Sequence, residues 1–376
     1  MAKKTKDAIL KQLSKKLPEG SFFTLDEQQQ VEVVPSGIST LDYASGIGGF
    51  ARGWMTQIYG PASAGKSALV YQSIGNYQHD HPESLAAVVD LEKSATPEWM
   101  SKFGANPEQV VVVRPANTEE MITMTMQLIE SATFDIIMID SLGAGLLQSE
   151  IENDKTRMAG SAGAITRMVK AVNSSFITLE RQIKIKRDDG DDISDIVVPA
   201  VLMVNQVRAN LNSLIASNTF SGGKALEHMV AMNIYLRASG KADDKIKGTV
   251  DGAQMQVGTR CIAEFKKNKL ATPGKQAGYN FVWHGCPEED IEFGIDNAQS
   301  IADLCLTLGI VETSGNTISF KNNKGEDDKV IGRKKFTLRI REDKDLQKYF
   351  AEEISRIMAE EAKDEDLEVI QQNPFN

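Results

Sequence analysis

The chain has 376 residues, 41% of them hydrophobic and 25% charged, with a formal net charge of -10. That composition belongs to a soluble globular protein large enough to bury a core without disulfide staples, and no apolar run approaches the roughly 20 residues of a membrane helix. The net charge argues against a general basic surface for nucleic acid, so any DNA must meet local patches.

Residues 1–16 hold six lysines and one aspartate. Met1-Ala2-Lys3-Lys4-Thr5-Lys6 leads into a helix rather than an apolar signal core, so a cytoplasmic location is expected. Ile9, Leu10, Leu13 and Leu17 predict a short amphipathic helix over 5–17, and Ser21-Phe22-Phe23-Thr24-Leu25 predicts a short strand. A lone helix of that length is marginal in water, so residues 1–33 form an arm that docks on the same chain or a neighbour. From 34 to 286, apolar strands at 55–59, 85–89, 109–113, 134–139 and 197–204 alternate with amphipathic helices, which predicts a mainly parallel sheet covered by helices. The interval 181–197 reads as an inserted charged β-hairpin: polar and apolar residues alternate from Arg181 to Arg187, and Asp188-Asp189-Gly190-Asp191-Asp192 supplies a turn. It is either a solvated loop or a partner contact. The odd, widely spaced Cys261, Cys286 and Cys305 fit reduced thiols. Residues 287–376 read as a smaller α/β unit, with helices at 301–308 and 346–362, strands at 317–320 and 336–340, and an acidic tail. His79 and His81 have no further Cys or His near them in sequence and read as a solvated loop.

The chemistry concentrates at Gly60-Pro61-Ala62-Ser63-Ala64-Gly65-Lys66-Ser67. Strand, glycine-bounded loop, Lys-Ser and helix, in that order, make a phosphate nest: backbone N–H groups aim inward at a helix N-terminus. Lys66 should reach the β- and γ-phosphates of ATP, and Ser67 should ligate Mg²⁺. The apolar strand ending at Asp140 supplies the expected second Mg²⁺ ligand. Glu92 lies just past a strand, where a carboxylate can orient and activate the attacking water, although a surface glutamate would look the same. Trp99 offers a flat face for adenine, or is simply half-buried.

The ordered set of this loop, Asp90-Leu91-Glu92, Asp140-Ser141, Asn205-Gln206, Gly222-Gly223-Lys224-Ala225-Leu226 and Lys267-Asn268-Lys269 resembles the RecA family of DNA recombinases, in its bacterial and phage (UvsX-like) branches. The similarity runs from about 35 to 286, where Gly37-Ile38-Ser39-Thr40-Leu41-Asp42 looks like the segment that opens the family's core. The resemblance implies a phosphate-loop NTPase core between the N-terminal arm (1–33) and a small C-terminal domain (287–376). It implies that Glu92 is the catalytic glutamate, that Trp99 stacks on adenine, and that Gln206 senses the γ-phosphate. It implies further that Lys267 and Lys269 reach the ATP of a neighbouring subunit. Two DNA-facing loops are implied. The first lies near 153–160 with Arg157, followed by Arg167 on the next helix. The second spans 207–221 with Arg208, Asn210, Leu211, Leu214 and Ile215, ahead of Gly222 and Gly223. Its amides and backbone N–H groups would hold phosphates without sequence preference, and its aliphatic side chains would wedge between bases.

Some positions depart from the family pattern. Ala62 replaces an acidic residue, Thr96 stands where an aspartate usually contacts the base, Glu227-His228 replaces Lys-Phe, and 181–197 is extra. The expected function is ATP-dependent homologous recombination and DNA repair. The protein would form a helical filament on single-stranded DNA and pair it with a homologous duplex, with DNA-stimulated ATP hydrolysis. Two rivals stay open: a helicase or other motor on the same core, and an ATP-binding recombination mediator that hardly hydrolyses.

Overall fold

The computed structural model describes residues 9, 12–13, 15–23, 31–141, 157–209, 218–220 and 223–371. A ribbon of β1 (Val33–Val34) and β2 (Phe50–Ala51) flanks helix α1 (Ser39–Ser45). Next come β3 (Met55–Gly60), α2 (Lys66–Asp80), β4 (Ala86–Asp90), α3 (Pro97–Lys102), β5 (Val110–Val113), α4 (Thr118–Glu130), β6 (Ile136–Asp140) and the long α5 (Arg157–Asp189). They are followed by β7 (Ala200–Ala209), β8 (Asn218–Phe220), α6 (Gly223–Met229), β9 (Met232–Ala238), β10 (Lys245–Val250), β11 (Ala253–Asn268), β12 (Gln276–Val282) and β13 (Gly294–Ile295). The remaining elements are α7 (Asn297–Thr307), β14 (Glu312–Ser314), β15 (Thr317–Lys321), β16 (Asp327–Ile331), α8 (Arg333–Glu342) and α9 (Lys344–Gln371).

The main sheet runs β13-β12-β11-β9-β3-β7-β6-β4-β5. Every pair from β9 to β5 is parallel, and every pair from β9 to β13 is antiparallel. The parallel strands β3, β4 and β6 are buried along their whole length, which is why they read as unbroken apolar runs, whereas the edge strand β5 leaves Val111 and Val112 exposed. Their side chains still alternate. Ile136, Met138, Leu202 and Val204 join the core beneath α2, whereas Ile137, Ile139, Val201 and Met203 join Met168, Val172 and Phe176 of α5 on the other face. A third core, built on Ile301, Phe320, Phe336 and Phe350, holds the C-terminal elements together. Asp303 ties it back to the sheet by pairing with both Arg260 of β11 and Arg333 of α8. Among the described residues no helix is long and apolar enough to cross a membrane.

Three sequence expectations are corrected. Residues 181–189 are not a hairpin arm but the last turns of α5, and 190–199 carry no strand. So short an alternation cannot separate a period of 2 from one of 3.6, and the apolar stripe Met168, Val172, Phe176, Leu179 continues to Ile183 at helical spacing. The supposed turn is a helix stop. Gly190 sits at φ 79, its N–H bonds the Arg187 carbonyl, and the Asp191 N–H bonds the Lys186 carbonyl. The second correction is at 336–340, which lies inside α8, because Phe336, Thr337 and Ile340 are buried at i, i+1 and i+4 against the C-terminal core. Third, Ser21, Phe22 and Phe23 form no strand, while Thr24 and Leu25 lie outside the described residues.

Candidate functional site

The carboxyl ends of the parallel strands are where this kind of sheet gathers ligands. Strand register brings the expected residues to that end: Gly60 lies opposite Gln206, and Asp90 opposite Asp140. Between β3 and α2 the loop turns sharply, with Ser63 at φ 58 and Gly65 at φ 83. A Cβ on Gly60 would lie 1.9 Å from the Leu236 carbonyl oxygen, so only glycine lets β9 come this close. Pro61, Ala62 and Ser63 are exposed, while Ala64 and Lys66 are buried.

Lys66 curls back over its own loop. Its Nζ donates to the Pro61 carbonyl at 2.7 Å and the Gly60 carbonyl at 3.2 Å. Burial pushes its pKa below the ordinary lysine value, and the carboxylates of Asp140 and Glu92 pull it back up. Asp140 shows the converse. Burial raises its carboxyl to about 6; the Ser67 and Ser94 hydroxyls hold it down, and Glu92 and Asp90 push it up. A serine hydroxyl and a buried carboxyl, both hard oxygen donors, suit Mg²⁺.

Glu92 is fixed from two sides. Its Oε1 accepts from the Ser141 hydroxyl at 2.6 Å and from the Gln206 amide at 3.3 Å. Asp90, which precedes it in the motif, turns inward and holds the following loop through the Ser94 and Ala95 N–H groups and Arg114. Thr96 caps α3 by accepting the Trp99 N–H at 3.2 Å. Trp99 is 39% exposed and stands edge-on to Phe103 with ring centroids 5.2 Å apart.

The antiparallel half of the sheet adds residues that the sequence reading passed over. Phe281 of β12 lies under the loop, with its ring 3.2 Å from where a Gly65 Cβ would stand, and Trp283, 43% exposed, follows 6.3 Å from it. With Phe103 and Phe293 they make an aromatic wall beside the loop. The only signal in the sequence was a run of aromatics after the Lys267 motif.

Lys267 and Lys269 stand away from this chain's own loop. The Lys267 Nζ donates to the Glu227 and His228 carbonyls, and the Lys269 Nζ donates to the Met229 carbonyl at 3.4 Å. They occupy the C-terminus of α6, where cations are favoured. Burial and the neighbouring Lys269 lower the Lys267 pKa.

Of the expected DNA segments, Asn210, Leu211, Leu214, Ile215 and Gly222 lie outside the described residues, as do 153–156 of the first loop. Arg157 opens α5, Arg208 lies on β7 and Gly223 opens α6. The ends of the second segment are ordered as a ribbon, with Val207, Arg208 and Ala209 paired to Phe220, Thr219 and Asn218. Arg167 pairs with Glu119 at 2.7 Å, an exposed ion pair worth about 1 kcal/mol or less.

A family profile described as "RecA N-terminal domain" matches residues 4–286. Among similar proteins is Protein RecA of Cutibacterium acnes, 27% identical over 326 residues, covering 84% of this chain and 82% of the relative. Protein RecA of Arthrobacter sp. is 29% identical over 325 residues, covering 85% and 83%. Protein RecA of Bartonella tribocorum is 28% identical over 326 residues, covering 85% and 84%.

Proposed function

The chain belongs to the RecA family, and from that premise we propose that it is a DNA-dependent ATPase that assembles a helical filament on single-stranded DNA and pairs it with a homologous duplex, in recombination and repair. One observation carries this reading. Four parallel strands deliver Lys66, Glu92, Asp140 and Gln206 to one end of the sheet, and the strand bearing Gln206 runs on into the pairing of 207–209 with 218–220.

The 60–67 loop would hold the phosphates, with Lys66 leaving its loop carbonyls for them. Ser67 and Asp140 would hold Mg²⁺, which neutralises phosphate charge when bound. Glu92, fixed by Ser141 and Gln206, would take the proton of the attacking water. Gln206 would turn its amide from Glu92 toward the γ-phosphate when ATP is bound, and so pull on the ribbon. Trp99 and Trp283 would flank the adenine. Lys267 and Lys269 would leave the end of α6 for the neighbour's ATP, so that hydrolysis depends on assembly. Arg157, Arg167, Arg208, Asn210, Leu211, Leu214, Ile215, Gly222 and Gly223 would face the DNA. Residues 1–33 would act as the assembly arm, 34–286 as the ATPase and DNA-binding core and 287–376 as a separate C-terminal domain, in a cytoplasmic protein.

The test is ATP hydrolysis with and without single-stranded DNA across protein concentrations. Strong stimulation with cooperative dependence on protein is the expected result. A rate indifferent to DNA would point to another motor on this core, and tight DNA binding with negligible turnover would point to a mediator.

A further inference from the structure

The helical extension 181–189 has no part in the nucleotide or DNA reading, yet it is not bare. Residues 18–23 lie along it. Gly20, at φ 66, touches the Arg181 backbone so closely that a Cβ would stand 2.6 Å from the carbonyl oxygen and 3.0 Å from Ile185 Cγ1. The Lys184 ammonium lies over the Phe23 ring, 5.7 Å from its centroid. That lysine is only 18% exposed and also pairs with Asp188 at 3.2 Å. The segment itself is held in a turn: Lys16 and Leu17 bond back to the Leu13 carbonyl, and both the N–H and the hydroxyl of Ser21 bond the Pro18 carbonyl. Just before this turn, Ile9, Leu13 and Leu17 remain 37–43% exposed.

We propose that residues 181–189 are a docking surface for residues 18–23 of the same chain, and that this seat fixes the point from which the N-terminal helix reaches a second copy. The occupant follows from the chemistry of the contact. A glycine allows backbone-to-backbone approach, an aromatic ring meets a cation, and an aliphatic side chain covers the glycine. The Schellman stop at Gly190 ends the helix just beyond the seat. A short helix with an exposed apolar side gains little by itself, and tethering its base to a rigid helix removes part of the ordering cost of docking on a neighbour. The seat rests on the filament reading only for what the arm reaches.

The experiment compares the full chain with Gly20→Val, Ile185→Asp and Lys184→Ala. Amide hydrogen exchange at residues 17–23 is read first, in protein free of nucleotide and DNA. Exchange at Leu17 and Ser21 is expected to accelerate more than about tenfold in Gly20→Val and Ile185→Asp, with exchange in β3, β4 and β6 unchanged. Lys184→Ala, which removes only the cation over Phe23, is expected to give about two- to fivefold. Sedimentation velocity at rising concentration is then expected to show weaker self-association in the first two variants. Unchanged exchange at 17–23 would overturn the seat, and accelerated exchange with unaltered self-association would overturn its role in aiming the arm. Both readouts precede any DNA or ATP, so failure of the recombinase reading would show separately, as an absence of DNA-stimulated hydrolysis in the unaltered protein.

Discussion

The two halves of the main sheet contribute to the site in different ways. The parallel half holds its functional groups at strand ends, on one chain and in mutual contact: Ser141 and Gln206 converge on Glu92, and Ser94 on Asp140. The antiparallel half holds Lys267 and Lys269 on the end of α6, turned away from this chain's loop, and sends Phe281 and Trp283 beside that loop. The contacts of the first half all lie within one chain. The second has its cations parked on backbone carbonyls that they can exchange for a stronger anion. Under the proposed function, a site divided in this way would bind nucleotide alone and turn it over only in company.

The sharpest way to break this comparison is the double variant Lys267→Ala, Lys269→Ala. DNA-stimulated hydrolysis is expected to fall by about 10³- to 10⁵-fold, the range seen for cations supplied across an interface, with nucleotide affinity of the isolated subunit unchanged. Retained turnover would make the two halves equivalent. Glu92→Gln tests the parallel half. It is expected to lose about 10²- to 10⁴-fold in kcat while still binding ATP and DNA, because only the proton acceptor is removed.

A third test uses pH. Burial raises Asp140 to about 6, so the carboxylate proposed to hold Mg²⁺ is present above that value and lost as pH falls through it. Nucleotide affinity with Mg²⁺, measured by titration calorimetry, is expected to be flat above about pH 7 and to fall about tenfold per unit below 6, as for a single proton. Asp140→Asn should abolish the slope. For stability the sign is opposite. A carboxyl raised above its unfolded value of 3.8 favours the folded state at low pH, and that contribution fades as pH rises through about 6.

The smallest effect is expected at the aromatic wall. Trp283→Ala should raise the KM for ATP about fivefold with kcat nearly unchanged, the scale of one aromatic contact. A change in kcat instead would give Trp283 a part in the chemistry and blur the division between the halves.

Much of the parallel half was legible beforehand, for a physical reason. Strands buried on both faces must be continuous apolar runs, and their ends must carry whatever polar group the sheet presents, so Asp90 and Asp140 could be placed from their neighbours alone. The sharp turn between β3 and α2 was equally plain, because glycines at both ends of 60–65 mark a backbone that a Cβ would hinder. Where the reading failed, competing periods were at fault. Residues 181–187 and 336–340 alternate over too few positions to exclude a helix, and the choice fell to what they packed against.

By itself, then, the sequence determined the local elements: the glycine-bounded loop, the strand ends, and the order in which their hydroxyl and carboxylate groups come. Tertiary structure alone decided three things. It turned 181–189 into a helix with residues 18–23 along it, brought Phe281 and Trp283 from more than 200 residues away to the phosphate loop, and sent Lys267 and Lys269 to the end of α6. Each depends on which distant surface a segment meets, and no local pattern of side chains carries that information.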